Sequence, residues 1–600
     1  MIPMNPTILL PQERWRAQPS FTIVELGFGL GANFLATLGD WHNHPRRPKR
    51  LHYVAVEANP VDGARLAREA RALGGTDAEA LAARWPIATP GLHRLAFADG
   101  AVTLTLAFGD AGRMLPKLSV AADAFHLGDF APDTAPPTRR DPALIRALAR
   151  LARPEATLTS DAADTALREH LAAAGFEVTQ AWGVAPGRAR FAARYSPRWR
   201  TFAPPAAATT WPERSAVIVG AGLAGCATAA ALAARGWRVT LLERRARPAS
   251  EGSAQPALAD HLHVSPDDNP LARLSRAALL MRRNVAATGK LQVAESDAEF
   301  ERLRAMVDTL GFPERFVQSL NAGAASDVAG VRLARGGLWL PMCGASNPAD
   351  WCARTLGAGG DAIEIRTGVE VARIDRAEGF WRALGADGRA IARAPAVVLA
   401  NAGDAVRLGG LASARLRRIR GQTTVLGAHL LPGLRTVLGG DAYACPLPDG
   451  RVLVGSTFDD GDTLDPDPQA DLDNLRRLRR MLADGALPGQ VDGTACASAA
   501  LGFRFAARDR MPLIGALPDE TAAGARVAEL ARNDRLPLPM REGLYGAFAF
   551  GARGQLWSGL AGEILGAELE GEPAPIELDL LAAVAPGRFL RQALRTRRLR

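Results

Sequence analysis

The 600-residue sequence predicts an α/β protein that contains two Rossmann-like units in succession. Each unit starts with a short apolar strand, passes through a glycine-rich turn into a helix, and ends in a second apolar strand closed by an acid. The first unit covers residues 21–57 and the second covers residues 215–243. Apolar strands and helical segments alternate further along the chain, which indicates mostly parallel sheets.

Length and composition are those of a globular chain with two to four domains. The sequence is 48% hydrophobic and 22% charged, and it has no apolar run near the roughly 18 residues that a membrane helix needs. We therefore expect no membrane association. The five cysteines lack CxxC spacing, so we predict that the protein resides in a reducing cytoplasm and has no structural zinc. His261 and His263 have no third ligand nearby, so we predict no metal site there either.

The net charge of +9 permits an anionic partner such as RNA. Only three of the 72 basic residues are lysines, so the arginine content also fits a compositional bias of the whole chain. The densest basic cluster is the C-terminal segment, residues 588–600. It is either an RNA-binding segment or a solvated tail.

The second unit has the spacing of a dinucleotide-binding βαβ fold. Gly220 permits the tight turn after the strand, Gly222 leaves room for a pyrophosphate, and Gly225 lets the helix pack on the sheet. The N–H groups at the start of the helix would face the phosphates. Glu243, 23 residues after Gly220, is placed to accept hydrogen bonds from an adenosine ribose. These features together predict a bound dinucleotide.

The first unit repeats this pattern with different spacing. Gly27 and Gly29 form the turn after the first strand, and Glu25 and Glu57 close the first and second strands. A domain that binds S-adenosylmethionine uses acids at these places to hold the methionine end and the ribose. The unit therefore looks like half of a methyltransferase, and a Rossmann scaffold without a nucleotide is the alternative.

Two more strands of the first domain end in acids. Asp110 ends the strand at 102–110, where such folds contact an adenine ring, and Asp129 ends the strand at 123–129, beside the methyl group and its acceptor. Helices predicted at 142–151 and 164–174 alternate with strands predicted at 156–160 and 177–181. We place Asp129 among the candidate catalytic residues.

A proline-rich stretch separates the two halves of the chain. Residues 195–213 contain four prolines and little periodicity, so we predict a first domain at 1–194, a linker at 195–214 and a second domain at 215–600. In the second domain, residues 394–402 predict a buried strand that closes a flavin-binding sheet, with Ala400 at its end and Gly403 in the turn.

Two late motifs carry a family resemblance. An arginine-led segment runs from Arg504 to Gly515, and residues 551–554 read Gly-Ala-Arg-Gly before a helix. Together with the glycine-rich turn at 220–225, they resemble the D-amino-acid oxidase and glycine oxidase superfamily of flavoproteins. With residues 25–35, 108–118 and 128–132 added, the whole chain resembles the bifunctional tRNA 5-methylaminomethyl-2-thiouridine biosynthesis family.

The resemblance implies two cofactors and a tRNA partner. An FAD domain, made of a Rossmann-like part and an α+β substrate part, would remove the carboxymethyl group from 5-carboxymethylaminomethyluridine at the wobble position. An S-adenosylmethionine-dependent domain would then methylate the freed amine. Arg504 occupies the family position that holds the carboxylate, and Arg553 and Gly554 would line the flavin. We expect a cytoplasmic monomer.

The chain departs from the family pattern at two places in the first domain. Only 20 residues precede Phe21, and the acid in residues 127–132 is shifted by one position to Asp129. A shift of one residue redirects a strand-end carboxylate, so we expect weak or absent methyl transfer. The alternatives for the whole chain are an oxidase of small amines or amino acids with a degenerate N-terminal scaffold, and a non-catalytic RNA-binding accessory protein. Arginines around the flavin pocket would favour tRNA over a small substrate.

Overall fold

A computed structural model of the chain describes residues 12–15, 18–128, 141–160, 165–179, 183–185, 188–189, 191–199, 210–282, 285–488 and 496–596. These residues fall into two compact units. The first comprises residues 1–209 and 567–579, and the second comprises residues 210–566 and 580–600. No helix within the described ranges is both long enough and apolar enough to cross a bilayer.

Among the described residues, the first unit has ten strands, eight of which form one sheet, and helices lie between them in the chain. The strands are β1 (Ser20–Leu26), β2 (Arg50–Glu57), β3 (Gly91–Phe97), β4 (Val102–Phe108), β5 (Ala122–Leu127), β6 (Ala152–Ser160), β7 (Phe176–Thr179), β8 (Gly183–Ala185), β9 (Arg188–Ala189) and β10 (Phe191–Tyr195). The helices are α1 (Ala32–Asn43), α2 (Gly63–Leu73), α3 (Thr76–Arg84), α4 (Ala111–Met114), α5 (Pro142–Leu151) and α6 (Thr165–Ala173).

The sheet order is β3-β4-β2-β1-β5-β6-β10-β7, and β8 pairs only with β9. The five strands from β4 to β6 in this order are parallel. Strand β3 lies antiparallel to β4, and β10 lies antiparallel to both β6 and β7. The predicted parallel sheet is therefore confirmed at its centre, and antiparallel strands extend both of its sides.

Strands β1, β2 and β4 are buried along almost their whole length, as expected for a parallel sheet that is covered on both faces. Along β1, Ile23 belongs to one hydrophobic core and Val24 to the other, since successive side chains point to opposite faces. The parallel arrangement brings the carboxyl ends of β1, β2 and β4 to one edge. The backbone N–H of Gly27 donates to the backbone carbonyl of Val56 at 2.9 Å, and that of Gly109 donates to the backbone carbonyl of Glu57 at 2.9 Å.

The second unit contains most of the remaining elements. Its strands are β11 (Ser215–Val219), β12 (Arg238–Glu243), β13 (Leu258–Ala259), β14 (Lys290–Val293), β15 (Gln318–Leu320), β16 (Gly337–Leu340), β17 (Ala345–Ser346), β18 (Ile363–Thr367), β19 (Arg373–Ala377), β20 (Phe380–Leu384), β21 (Ala390–Ala394), β22 (Ala396–Leu399), β23 (Leu416–Leu426), β24 (Val437–Gly439), β25 (Tyr443–Pro446), β26 (Val452–Gly455), β27 (Cys496–Ala507), β28 (Leu513–Pro518) and β29 (Met540–Phe548). The remaining helices are α7 (Leu223–Ala233), α8 (Pro270–Met281), α9 (Asp297–Leu310), α10 (Ala322–Ala329), α11 (Pro348–Gly357), α12 (Ala405–Gly409), α13 (Pro468–Met481), α14 (Glu520–Ala525), α15 (Val527–Arg532), α16 (Gly554–Glu570), α17 (Leu578–Val584) and α18 (Arg588–Arg595).

Two large sheets organise this unit. The six-stranded sheet has the order β18-β12-β11-β22-β29-β28, and the eight-stranded sheet has the order β15-β16-β14-β24-β25-β26-β23-β27. Strands β18, β12, β11, β22 and β29 are parallel, as the sequence predicts for a Rossmann-like sheet. The eight-stranded sheet is largely antiparallel and forms a separate hydrophobic core. The predicted combination of a Rossmann-like part and an α+β part is confirmed.

The C-terminal segment is folded as far as residue 596, contrary to the solvated tail that the sequence allowed. Helix α18 packs through Leu590 and Leu594 against Leu530. Arg588 donates to Asp509 at 2.8 Å, and Arg595 donates to Asp534 at 2.6 Å. The periodic leucines between the arginines form an amphipathic helix, which the charge count concealed.

Candidate active sites

A cleft of about 920 Å³ in the second unit is lined by residues of both large sheets. The turn after β11 and the end of β12 form one part of its wall, and strands β14, β25 and β27 contribute side chains elsewhere. Its volume is in the upper part of the range of cofactor and ligand pockets. The cleft therefore has room for an elongated ligand whose two ends meet different chemistry.

The glycine turn predicted from the sequence forms the wall of the cleft at the start of α7. Gly220 has φ of 101°, and a Cβ on this residue would lie 2.8 Å from the carbonyl oxygen of Ala400. Gly222 is the N-cap residue of α7 and has no side chain to cap the helix, the N–H of Leu223 donates to the hydroxyl of Ser253 at 3.3 Å, and both Gly222 and Leu223 line the cleft. A helix N-terminus that opens into a cleft is suited to a phosphate group.

Gly225 has a packing role and does not line the cleft. A Cβ at Gly225 would lie 1.9 Å from the carbonyl oxygen of Gly220, so any larger residue would push α7 away from the strand. This is the role that the sequence predicts for the third glycine of the motif.

Glu243 is a buried carboxylate at the end of β12, and it also lines the cleft. The backbone N–H groups of Ala221 and Arg245 donate to its two oxygens, each at 2.9 Å. A carboxylate offers about four acceptor positions, so these two bonds fix its orientation and leave capacity for hydroxyl donors. Glu243 is thus placed as the ribose acceptor of a dinucleotide site requires.

Ala400 and Gly403 take different roles, although the sequence assigned both to cofactor binding. Ala400 lines the cleft beside Gly220. Gly403 does not line it, and a Cβ there would lie 2.2 Å from the ring of Phe505. Gly403 therefore makes room for an aromatic residue of the neighbouring sheet, which the local sequence could not indicate.

Arg504 presents its guanidinium to the cleft from strand β27. It donates to the hydroxyl of Ser456 at 2.7 Å and to the carbonyl of Thr457 at 3.3 Å. Within the part of the chain that the structure describes, it forms no ion pair. Burial lowers the pKa of this guanidinium, but an arginine remains charged at neutral pH. Arg504 thus supplies a positive charge that has no salt-bridge partner among the described residues, although the carboxylate of Asp459 is near enough to raise its pKa.

Three residues that the sequence analysis did not assign to this site also line the cleft: His261, Lys290 and Tyr443. Lys290 is 2% exposed and has no ion-pair partner among the described residues. The positive charge of Lys290, together with burial and Arg553, holds the pKa of His261 well below its usual value, so this imidazole is neutral at pH 7. Lys290 is one of only three lysines in the chain, which marks it as unusual. The sequence could not place it in this cleft, because the other residues of the cleft wall come from distant segments.

Arg553 differs from its predicted place. The cleft is lined by Ala552 and Gly554, but not by Arg553. The Arg553 side chain donates from Nε to the carbonyl of His261 at 3.2 Å. It therefore supports the segment that carries His261, while Gly554, the first residue of α16, faces the cleft as predicted.

In the first unit, Glu57 holds the glycine turn that follows β1. Its Oε2 accepts the backbone N–H groups of Phe28 and Gly29, both at 3.0 Å. Gly27 and Gly29 have φ of 86° and 56°, in the left-handed region that glycine adopts easily. Asp110 caps α4 by accepting the N–H of Arg113 at 3.2 Å. The turn, Glu57 and Asp110 follow three adjacent strands, so the structure brings these predicted residues to one sheet edge.

Glu25 and Asp129 are the other acids that the sequence analysis assigned to this unit. Glu25 is 1% exposed and accepts hydrogen bonds from Asn33 at 2.6 Å and from the hydroxyl of Tyr53 at 2.9 Å. Its carboxylate is thus held by the side chains of Asn33 and Tyr53, and its contact with a methionine group stays a prediction. Asp129 lies outside the described residues, which end here at Gly128.

Comparisons with known proteins agree with the division of the chain. Residues 215–568 match the family model of FAD dependent oxidoreductases, and residues 75–196 match that of S-adenosyl-L-methionine-dependent methyltransferases. The chain is 44% identical over 608 residues to the tRNA 5-methylaminomethyl-2-thiouridine biosynthesis bifunctional protein of Ralstonia nicotianae, covering 97% of this chain and 92% of that protein. Its counterpart in Burkholderia vietnamiensis is 44% identical over 609 residues, covering 98% and 92%.

A solved structure supports the fold of the second unit. The L-proline dehydrogenase of P. horikoshii matches with a TM-score of 0.50 and 16% identity, and the match covers 64% of this chain and 99% of that one. At this identity the likeness concerns the fold alone.

Proposed function

Because the chain belongs to the family of bifunctional tRNA 5-methylaminomethyl-2-thiouridine biosynthesis proteins, we propose that it modifies the wobble uridine of tRNA in two steps. The chain is an FAD-dependent oxidoreductase joined to an S-adenosylmethionine-dependent methyltransferase. In the first step, the second unit removes the carboxymethyl group from 5-carboxymethylaminomethyluridine. In the second step, the first unit methylates the amine that is left.

The observation that carries the oxidative step is the guanidinium of Arg504, which has no salt-bridge partner in the described ranges and lies in a cleft that also contains a dinucleotide-type turn. The substituent on the uridine is an N-alkylglycine, so it carries one carboxylate next to the carbon that must be oxidised. Arg504 can hold this carboxylate with two parallel hydrogen bonds, which fixes its orientation as well as its position.

The residues of the cleft fit FAD. Gly220, Gly222 and the first N–H groups of α7 would hold the pyrophosphate, and Glu243 would accept the ribose hydroxyls. When bound, the flavin supplies a hydride acceptor. We propose non-covalent binding, with Ala400 and Gly554 as further wall residues.

The charges in the cleft also favour the reactive form of the substrate. An amine gives up hydride from its neighbouring carbon only when its nitrogen lone pair is free. Arg504 lines the cleft as a cation, and positive charge near a bound amine lowers the pKa of that amine; Lys290, whose own pKa is lowered by burial, lies in the same cleft wall. Loss of hydride converts the C–N single bond to C=N; water then adds to the carbon, and the C–N bond breaks to release a two-carbon oxoacid and the aminomethyl group.

The methyl-transfer step belongs to the edge of the first unit that contains Gly27, Gly29, Glu57 and Asp110. S-adenosylmethionine supplies an electrophilic methyl group, and these residues would hold its adenosine half. The open space around Gly29, where a Cβ would meet nothing within 4 Å, supports this assignment. We keep the expectation of weak methyl transfer, since the acceptor side depends on the displaced Asp129.

The remaining assignments are also proposals. We propose a methyltransferase domain at 1–194, a linker at 195–214 and an oxidoreductase domain at 215–600, in a monomer without a metal. A tRNA substrate places the protein in the cytoplasm. Light scattering coupled to size-exclusion chromatography would measure the oligomeric state, and a dimer would contradict this part.

One observation favours the small-molecule oxidase as a second candidate. Arg417 and Arg418, on the strand next to Arg504, form ion pairs with Asp460 and Asp462. These arginines attract phosphates less than free ones would. An oxidase of small N-alkylglycines would need no such attraction.

The deciding experiment supplies the purified FAD-loaded protein with tRNA that carries 5-carboxymethylaminomethyl-2-thiouridine, and separately with free N-alkylglycines. Mass spectrometry of the nucleosides should show the aminomethyl nucleoside, and added S-adenosylmethionine should convert part of it to the methylaminomethyl form. Turnover of free N-alkylglycines without any change in the tRNA would refute the tRNA function and support the small-molecule oxidase.

A further inference from the structure

An exposed aromatic side chain lies in the wall of the cleft. Phe458 is 58% exposed, and Leu464, which also lines the cleft, is 48% exposed. The other large apolar side chains that are exposed in the described ranges lie outside the cleft wall: Trp199, Ile365, Met540 and Leu578. An exposed apolar pair at a binding cleft indicates a surface that a ligand covers.

Phe458 is joined directly to the proposed carboxylate site. The guanidinium carbon of Arg504 lies 4.7 Å from the centre of the Phe458 ring, in a cation–π contact. The same guanidinium is held by Ser456 and Thr457, the two residues that precede Phe458. The ring and the cation are therefore neighbours in the cleft wall, and more than half of the phenylalanine surface stays open.

The distances fit the substrate that the proposed function implies. Four bonds separate the carboxylate carbon from C5 of the uracil ring, which span about 5 Å when extended. With the carboxylate carbon about 4 Å from the guanidinium carbon, the base begins within about 9 Å of Arg504. The centre of the Phe458 ring lies 4.7 Å from the same carbon, which is inside this reach, so the base can contact the open part of the ring beside the guanidinium.

We propose that Phe458, with Leu464 beside it, is the stacking platform for the wobble base while Arg504 holds the carboxylate of its substituent. This inference rests on the proposed tRNA function and adds the residue that recognises the nucleobase. Proteins commonly bind unpaired RNA bases by stacking them on aromatic rings, and any base has a face for this contact. A free N-alkylglycine has no base, so it would use Arg504 but not the open face of Phe458.

The test compares two substrates with a set of variants of the full FAD-loaded chain. The substrates are tRNA carrying the carboxymethylaminomethyl group and free N-ethylglycine. Phe458→Ala should raise KM for the tRNA on the order of 10- to 100-fold, which is the usual effect of removing one stacked aromatic residue. Its kcat/KM for N-ethylglycine should fall much less, by a few-fold at most, because Ser456 and Thr457 still hold Arg504 when the cation–π contact is lost. Phe458→Trp should retain tRNA turnover, whereas Phe458→Leu, which keeps apolar area without a π face, should behave like alanine.

Met540→Ala is the matched control, because Met540 is 44% exposed but does not line the cleft. It should leave both substrates unaffected. The flavin spectrum and the thermal midpoint of each variant establish that the fold and the cofactor are retained.

Each other outcome overturns the inference in a distinguishable way. Equal losses on both substrates would show that Phe458 only supports Arg504. Unchanged KM for tRNA in Phe458→Ala would place the base elsewhere. If the wild-type protein oxidises N-ethylglycine but not the tRNA, the proposed function itself fails, and the stacking role fails with it.

Discussion

Replacing Arg504 by alanine should abolish recognition of the substrate carboxylate while leaving the flavin in place. The side chain is held by Ser456 at 2.7 Å and by Thr457 at 3.3 Å, and it has no acidic partner among the described residues. Its charge is therefore available to a ligand. The flavin-binding turn and Glu243 belong to a different sheet, so their geometry should not change.

The size of the effect follows from the geometry. Two unit charges about 4 Å apart attract by about 4 kcal/mol at an effective dielectric constant of about 20. Removing one member of a desolvated charge pair typically costs about 2 to 5 kcal/mol, partly because the other charge is left unpaired. At about 1.4 kcal/mol per factor of ten, kcat/KM for a carboxylate-bearing substrate should fall by about 30-fold to a few thousandfold.

The assay measures kcat/KM for the tRNA substrate and for free N-ethylglycine, and also for an N-alkyl amine without a carboxylate. Only the two carboxylate substrates should lose rate in Arg504→Ala. Arg504→Lys keeps the charge but loses the paired hydrogen bonds, so it should lie between wild type and alanine. Arg417→Ala is the control, since Arg417 lies on the neighbouring strand, is 65% exposed and pairs with Asp460.

Unchanged kcat/KM for the carboxylate substrates in Arg504→Ala would refute this assignment. Lys290 would then be the next candidate, because it is the other cleft cation without an ion-pair partner in the described ranges. Loss of the flavin from the Arg504 variant would equally contradict the reasoning, since it would show that the two ends of the cleft are not independent.

Further predictions concern the rest of both sites. Gly222→Leu should fold but purify without FAD, measured by absorbance and circular dichroism, because the new side chain would enter the cleft at the start of α7; retained flavin would contradict the pyrophosphate assignment. Since Lys290 and burial depress the pKa of His261 while the unfolded residue titrates near 6.5, the free energy of unfolding should fall as the pH falls below about 6.5, by at most about 1.4 kcal/mol per pH unit. Urea titrations at several pH values should show a weaker fall for His261→Asn, and equal slopes would rule this out. Calorimetry should show that wild type binds S-adenosylmethionine and that Glu57→Ala does not, whereas a methylation assay should show weak or no turnover; rapid methylation would prove the displaced Asp129 harmless.

The local parts of the fold were predictable because their signals are local. Residues 215–243 and 21–57 each contain a strand, a glycine turn, a helix and an acid within a short span, and the observed elements follow that order. Helix α5 begins at Pro142 and ends at Leu151, as predicted, because Asp141 caps its N-terminus and the apolar periodicity stops at residue 151.

The site residues that the sequence analysis missed depend on contacts between distant segments. Lys290, Tyr443 and Phe458 line the same cleft as Arg504 because β14, β24, β25, β26, β23 and β27 lie in that order across the eight-stranded sheet. No periodicity within one segment reports on such pairings. Gly403 shows the same limit, since its neighbour Phe505 lies about one hundred residues further along the chain.

At each end of the cleft, the structure places a charged side chain that complements the group expected to bind there. Where a ribose is expected, the structure places the carboxylate of Glu243, which accepts hydroxyl protons and is itself oriented by two backbone N–H groups. Where a carboxylate is expected, it places Arg504, oriented by neutral acceptors that leave its charge intact. His261, whose pKa is held low by Lys290 and by burial, is neutral and adds no charge to the part of the cleft near Arg504. The cleft therefore favours the ribose hydroxyls of the cofactor at Glu243 and the carboxylate of the substrate at Arg504, because a carboxylate placed beside Glu243 would face a like charge.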